Sequence, residues 1–134
     1  MGTELAVLVE LGKSLFDLRD AFKNAKRERK DRIATLLDSI GHCLDEVAKS
    51  LRQNQYPSMR CAEMRTYAIE LPNTIDDAIG PQKAAMYGQQ LMSAHAVEQL
   101  YVALQNDPER DQKLMQLEDT AGTFCALAGL TRAS

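Results

Sequence analysis

Between Leu8 and Leu51 the apolar residues recur in steps of three and four, interrupted only by a charged segment, and that spacing is the period of a helix stripe. The first series is Leu8, Leu11, Leu15, Leu18, Phe22 and Ala25. The second is Ile33, Leu37, Ile40, Leu44, Val47 and Leu51, offset by an extra half-turn across Arg29. The intervening Lys26-Arg27-Glu28-Arg29-Lys30-Asp31-Arg32 holds no Gly, Pro or turn dipeptide, so no local cause for a break is visible. One helix from about Thr3, a suitable N-cap, to Gln53 is therefore as consistent with the pattern as two shorter ones. At 1.5 Å per residue a continuous helix would reach about 75 Å, much longer than a compact domain of this size is wide. Part of its stripe would then be covered by another chain.

Beyond Gln53 the punctuation is clearer. Asn54-Gln55-Tyr56-Pro57-Ser58 ends the element, and Pro57 suits the first turn of the next. Cys61, Met64, Ala68, Leu71, Ile75 and Ile79 continue the helical period through Pro72, which is expected to kink or divide the helix, with Asn73 or Thr74 recapping it and Asp76 and Asp77 near the new N-terminus. Gly80-Pro81 is a stop and restart. A helix from about Pro81 to Gln105 places Tyr87, Leu91, Ala94, Val97, Tyr101 and Leu104 inward. Asp107 then caps a last helix from about Pro108 to Leu130, with Leu114, Leu117, Ala121, Phe124 and Ala128 on one face. Small residues Gly122, Ala126 and Gly129 lie together on it, suited to close helix approach or to fraying.

Only four Pro and seven Gly occur among 134 residues rich in good helix formers, and no segment alternates as a strand would. The expected architecture is all-α: an antiparallel four-helix bundle core over residues 31–134, joined by short loops, with an additional or extended N-terminal helix or arm over residues 1–30. At this length a single core is sufficient without metal or disulfide staples. The six Met read as core filler or as an adaptable surface.

No apolar run reaches the roughly 18 residues that span a bilayer, and no basic region precedes an apolar stretch at the start. Gly2 does not open a myristoylation pattern, because Ala6 stands where Ser or Thr is needed. Cys43, Cys61 and Cys125 are odd in number, widely spaced and lack Cys-x-x-Cys, so a reducing, cytoplasmic setting is expected.

Chemistry-bearing motifs are sparse. His95-Ala96-Val97-Glu98 reverses the Glu-x-x-His order of di-metal bundles and occurs once; His42 and Glu46 form a second local pair, and both read as helix-surface histidines. Cys43 adjoins His42, but neighbours on a helix project about 100° apart. Cys61, near Arg60 in a first helical turn, is the better thiol, yet it stands at a core position. No phosphate-cradling loop or hydrolase, kinase or nucleotide-fold motif is present. The expectation is a non-enzymatic protein without metal or cofactor, with a metal-dependent bundle enzyme as the third reading.

The most uneven feature is charge. The chain carries −3 overall, but residues 19 to 32 hold seven basic and three acidic side chains, net +4, leaving −7 for the remainder. Lys23, Lys26, Arg27, Arg29, Lys30 and Arg32 surround a helix and suit an acidic protein face, the phosphates of nucleic acid or anionic lipid. Interleaved Glu28 and Asp31 also fit a solvated face with local ion pairs. Against nucleic acid stand the acidic pI near 5.4 and the lack of nearby aromatics for stacking. A second candidate surface joins Tyr56, Arg60 and Arg65 at a helix N-terminus, ingredients for a phosphate or nucleotide ligand that also have structural uses.

The N-terminal stripe must fold back over its own bundle, pair with the same helix of another copy, or meet a different protein. These observations lead to a cytoplasmic protein-protein interaction or regulatory module, self-associating as a homodimer through Leu8, Leu11, Leu15, Leu18 and Phe22. Lys26, Arg27, Arg29, Lys30 and Arg32 steer an acidic partner. The alternative is a small nucleic-acid- or nucleotide-binding regulator that uses the basic segment or the Arg60 and Arg65 surface.

Overall fold

The computed structural model describes residues 3–93 and 100–133. Among these the chain is all-helical, with seven helices packed together: α1 (Thr3–Asp17), α2 (Arg19–Lys23), α3 (Arg27–Arg52), α4 (Ser58–Ile79), α5 (Pro81–Ser93), α6 (Leu100–Leu104) and α7 (Arg110–Ala133). No helix among the described residues is long and apolar enough to cross a membrane.

The continuous helix over 3–53 does not form. The chain leaves helical geometry at Leu18, whose amide bonds to Leu15 O, and again after Lys23, where Lys26 takes a polyproline-like extended conformation at φ −61°, ψ 147° before α3 begins. The cause is tertiary. Breaking the rod lets α1 and α2 fold back so that Leu5, Leu8, Leu11, Leu15 and Phe22 are buried in the same core as Ile33, Leu37 and Ile40. Each such burial contributes about 2 kcal/mol. Two or three forfeited helical hydrogen bonds cost about 1 kcal/mol each. Arg19 steadies the first break, donating from Nη1 to Phe16 O at 3.2 Å with its guanidinium 5.1 Å from the Phe16 ring centroid.

The most extensive packing is α3 on α7 and α4 on α5, followed by α3 on α4, α1 on α7 and α1 on α5. Asp38 faces Arg132 and Arg52 faces Glu118, so α3 and α7 are antiparallel; Arg29 faces Asp77 while Cys43 faces Arg60, so α3 and α4 are too. In consequence α1 lies between α5 and α7 and closes the ring of helices. It is a wall of the structure, and the stretch from residue 31 onward is not closed without it among the described residues.

Pro72 does not divide α4, which runs unbroken through it. Thr74 is no cap either; its Oγ1 donates to Glu70 O at 2.9 Å within the helix. The proline ring lies against α5. A side chain at Gly88 would come within 2.4 Å of Pro72 Cγ, so a glycine is required where the two helices cross. The Gly122 and Gly129 positions have no neighbours near them, and close approach to α7 instead occurs at Ala121 and Cys125, opposite Gly41. Ala94 and Val97 lie outside the described residues.

The apolar stripes expected for α3, α4 and α7 are otherwise found inward, including Leu44, Val47, Leu51, Met64, Leu71, Ile75, Leu114, Leu117 and Phe124. Thr120 and Thr131, also buried, donate to the Gln116 and Leu127 carbonyls of the preceding turn, so neither hydroxyl is left unsatisfied. Met64 is core, whereas Met59, Met86 and Met115 are exposed.

Candidate functional site

The basic segment is the start of α3. Lys26 occupies the N-cap position with the extended backbone that capping residues adopt, yet no side chain caps this end. Its carbonyl accepts the first helical bond, from Lys30 N at 2.9 Å. The early amides of α3 therefore point outward without a side-chain acceptor, and they carry the positive end of a 26-residue helix dipole. Cations at that end are electrostatically unfavourable. Here Lys26, Arg27, Arg29, Lys30 and Arg32 are gathered on it, with Glu28 as the sole acid of the first turn.

Two clefts border this end. One of about 450 Å³ lies between the α2–α3 turn and the last turns of α4, lined by Asn24, Lys26, Arg29, Ile33, Thr74 and Asp77 among others. The adjoining one, about 510 Å³, is lined by Lys26, Glu28, Arg29, Arg32 and Asp77. Arg29 is fixed between them. Its Nη2 lies 2.7 Å from Asp77 Oδ2, and its Nη1 donates to Asn73 O at 3.4 Å. Lys26, Arg27 and Arg32 are exposed and form no ion pair among the described residues. So the five basic residues do not act alike: Arg29 is largely neutralised and positions the cleft, while three others present charge to solvent.

The apolar residues expected to mediate self-association are placed differently. Leu8, Leu11, Leu15 and Phe22 are fully buried within the single chain, and Leu18 packs partly against the same core. Their stripe is covered by this chain's own helices, so they offer no free surface for a second copy.

The Tyr56, Arg60 and Arg65 group does not converge either. Arg60 is ion-paired with Glu63, which it meets one turn along α4. Arg65 is exposed about 140° further round the helix. Tyr56 stacks edge-on against Tyr101 at 5.5 Å, tying the α3–α4 connection to α6. Tyr67 donates to Glu63 Oε2 at 3.4 Å, and burial together with that carboxylate pushes its pKa up. Cys43 is buried and donates to Arg60 O at 3.1 Å, a core thiol. The side chain of Cys61, and both His95 and Glu98, lie outside the described residues. His42 turns away from Glu46, which pairs with Lys49, and faces Asp38 instead.

The sequence reading missed two things here. It did not see that Asp77, 48 positions after Arg29, would neutralise it, nor that Cys125 would come beside His42. Both depend on helix pairings that no local spacing encodes. Comparison with protein-family models, curated sequences and solved structures finds no match to this chain.

Proposed function

We propose that this chain is a non-enzymatic helical interaction module that binds an acidic segment of a partner protein at the start of α3, with Lys26, Arg27 and Arg32 as the recognising cations. The observation that carries the reading is a local conflict. Lys26, Arg27 and Arg32, exposed and unpaired among the described residues, crowd the positive end of a helix without a side-chain cap, an arrangement that lowers stability and attracts anions. The two bordering clefts supply a surface into which an extended acidic peptide fits, with Arg29 held in place by Asp77. Interspersed Glu28 and Asp77 favour a peptide with spaced carboxylates over the continuous charge of a nucleic-acid backbone. The ring of packed helices is, in this reading, the scaffold that holds α3 and α4 at the spacing the clefts need.

The test is an amide chemical-shift titration at low salt with an oligoglutamate peptide, repeated with a DNA duplex. Saturable shifts with the peptide, confined to residues 24–33 and 74–78 and lost when Lys26, Arg27 and Arg32 become Gln, are the expected result. Shifts with the duplex alone would transfer the site to a nucleic-acid regulator. No shifts with either would end the proposal.

A further inference from the structure

On the opposite side of α3 from the α4 contact, Asp38 and His42 stand one turn apart and face Cys125 of α7. One ligand atom from each, a carboxylate oxygen, an imidazole nitrogen and Sγ, lie within 4.8 Å of one another. Gly41 makes this approach feasible. A Cβ there would sit 2.5 Å from Cys125 Sγ and 2.9 Å from Ala121 O, so only glycine lets the thiol rest against the α3 backbone between the other two groups.

We propose that Asp38, His42 and Cys125 form a Zn²⁺ site that clamps α3 to α7, with its fourth coordination position open to water. The donor chemistry selects the ion. A thiolate and an imidazole suit a borderline-soft cation such as Zn²⁺ and not Mg²⁺ or Ca²⁺, which take oxygen ligands. Around a tetrahedral zinc with bonds of about 2.0 to 2.3 Å, donor atoms stand roughly 3.3 to 3.8 Å apart. The group must therefore contract by about 1 Å. His42 can supply that movement, since its side chain is 73% exposed and only 3.9 Å from Asp38 Oδ1.

The remaining carboxylate oxygen has its own role. Arg132 Nη1 lies 3.9 Å from Asp38 Oδ2, leaving Oδ1 turned to the site and the guanidinium outside it, where it orients the ligand. With Asp38 ionised and Cys125 as thiolate, the two negative charges balance the cation. Without a cation, burial first and then the Asp38 carboxylate push the Cys125 thiol up. Zinc binding reverses the balance by releasing the thiol proton to solvent.

The experiment is a Zn²⁺ titration of the full chain against a chromophoric chelator, with Co²⁺ substitution read by absorption. One equivalent should bind, and the Co²⁺ form should show sulfur-to-metal charge transfer. H42A and C125S should each weaken zinc binding by about 100-fold or more, while C61S, on α4, leaves it unchanged. Binding unaffected by H42A and C125S, or a Co²⁺ spectrum without a thiolate band, would overturn the proposal. The wild-type cobalt spectrum decides the matter even if C125S fails to fold.

Discussion

The two ends of α3 are built on opposite principles. At the C-terminal end every local rule is followed. Asn54, at φ 61°, takes the left-handed position beyond the helix, Gln55 N bonds back to Ser50 O at 2.8 Å and Asn54 N to Leu51 O at 3.0 Å, the two bonds of a Schellman cap. Basic residues stand where the dipole is negative, and each is engaged. Arg52 forks onto Glu118 through two bonds of 2.8 Å, Lys49 pairs with Asp45 and Glu46, and Arg110 of α7 donates to the Leu51 carbonyl. At the N-terminal end the rules are broken: no side-chain cap, the wrong sign of charge for the dipole, and three exposed cations unpaired among the described residues. One end of the helix is optimised for the fold, and the other is not.

This contrast can be broken most forcefully from the stable end. Leu51, 2% exposed and lying under the Schellman cap, should lose about 2 to 5 kcal/mol of stability on truncation to Ala, read from urea unfolding. The corresponding prediction for α1 reverses the expectation from sequence. Leu15→Asp should unfold the chain, because Leu15 is core, whereas Leu18→Asp, at a partly exposed site, should be far milder. A far-UV spectrum that stays helical for Leu15→Asp, together with a change in assembly state, would return the stripe to an interface.

Acid separates the two ends more finely. The hydrogen bond from Arg52 holds the Glu118 carboxyl below its ordinary range, and Lys113 does the same for Asp107 at the start of α7. A carboxyl whose folded pKa is depressed contributes stability that is fully present above its unfolded value, about 4 to 4.5, and is lost as pH falls through the folded value. The urea midpoint should therefore decline below about pH 4.5, and Glu118→Gln should flatten that decline. Replacing Lys26, Arg27 and Arg32 by Gln should leave the acid limb unchanged. An equal response at both ends would erase the distinction. The smallest effect is expected at the cap, where Asn54→Gly should raise stability by a few tenths of a kcal/mol, since glycine adopts positive φ without strain.

Much of this was legible in the sequence, and the reasons are specific. The period of Ile33 to Leu51 identifies the buried face of α3, because burial of a stripe is decided by local spacing. Gly80-Pro81 and Asp107-Pro108 mark helix ends; Asp107 Oδ1 does accept the Glu109 amide at 2.8 Å. What escaped were features decided by partners distant in sequence. The break at Lys26 has no local signal because burial of Phe22 drives it. Pro72 sits inside a continuous helix, packed against Gly88 of α5, a pairing that no local spacing announces. The basic cluster was visible as composition, but that Arg29 is neutralised and its neighbours are not depends on where α4 ends. Cys125, widely separated in sequence from Asp38 and His42, gave no metal spacing at all.

If the cations at the start of α3 stand there against the interest of stability, replacing them with capping chemistry must stabilise the chain. Equilibrium urea unfolding of Lys26→Ser/Arg27→Glu measures this directly. Serine restores a cap at a backbone already extended for it, and glutamate in the first turn complements the dipole. A midpoint raised by the equivalent of about 1 kcal/mol, with unchanged slope, is the predicted result. A lowered midpoint would contradict the account, because it would mean that Lys26 and Arg27 belong to the machinery of the fold.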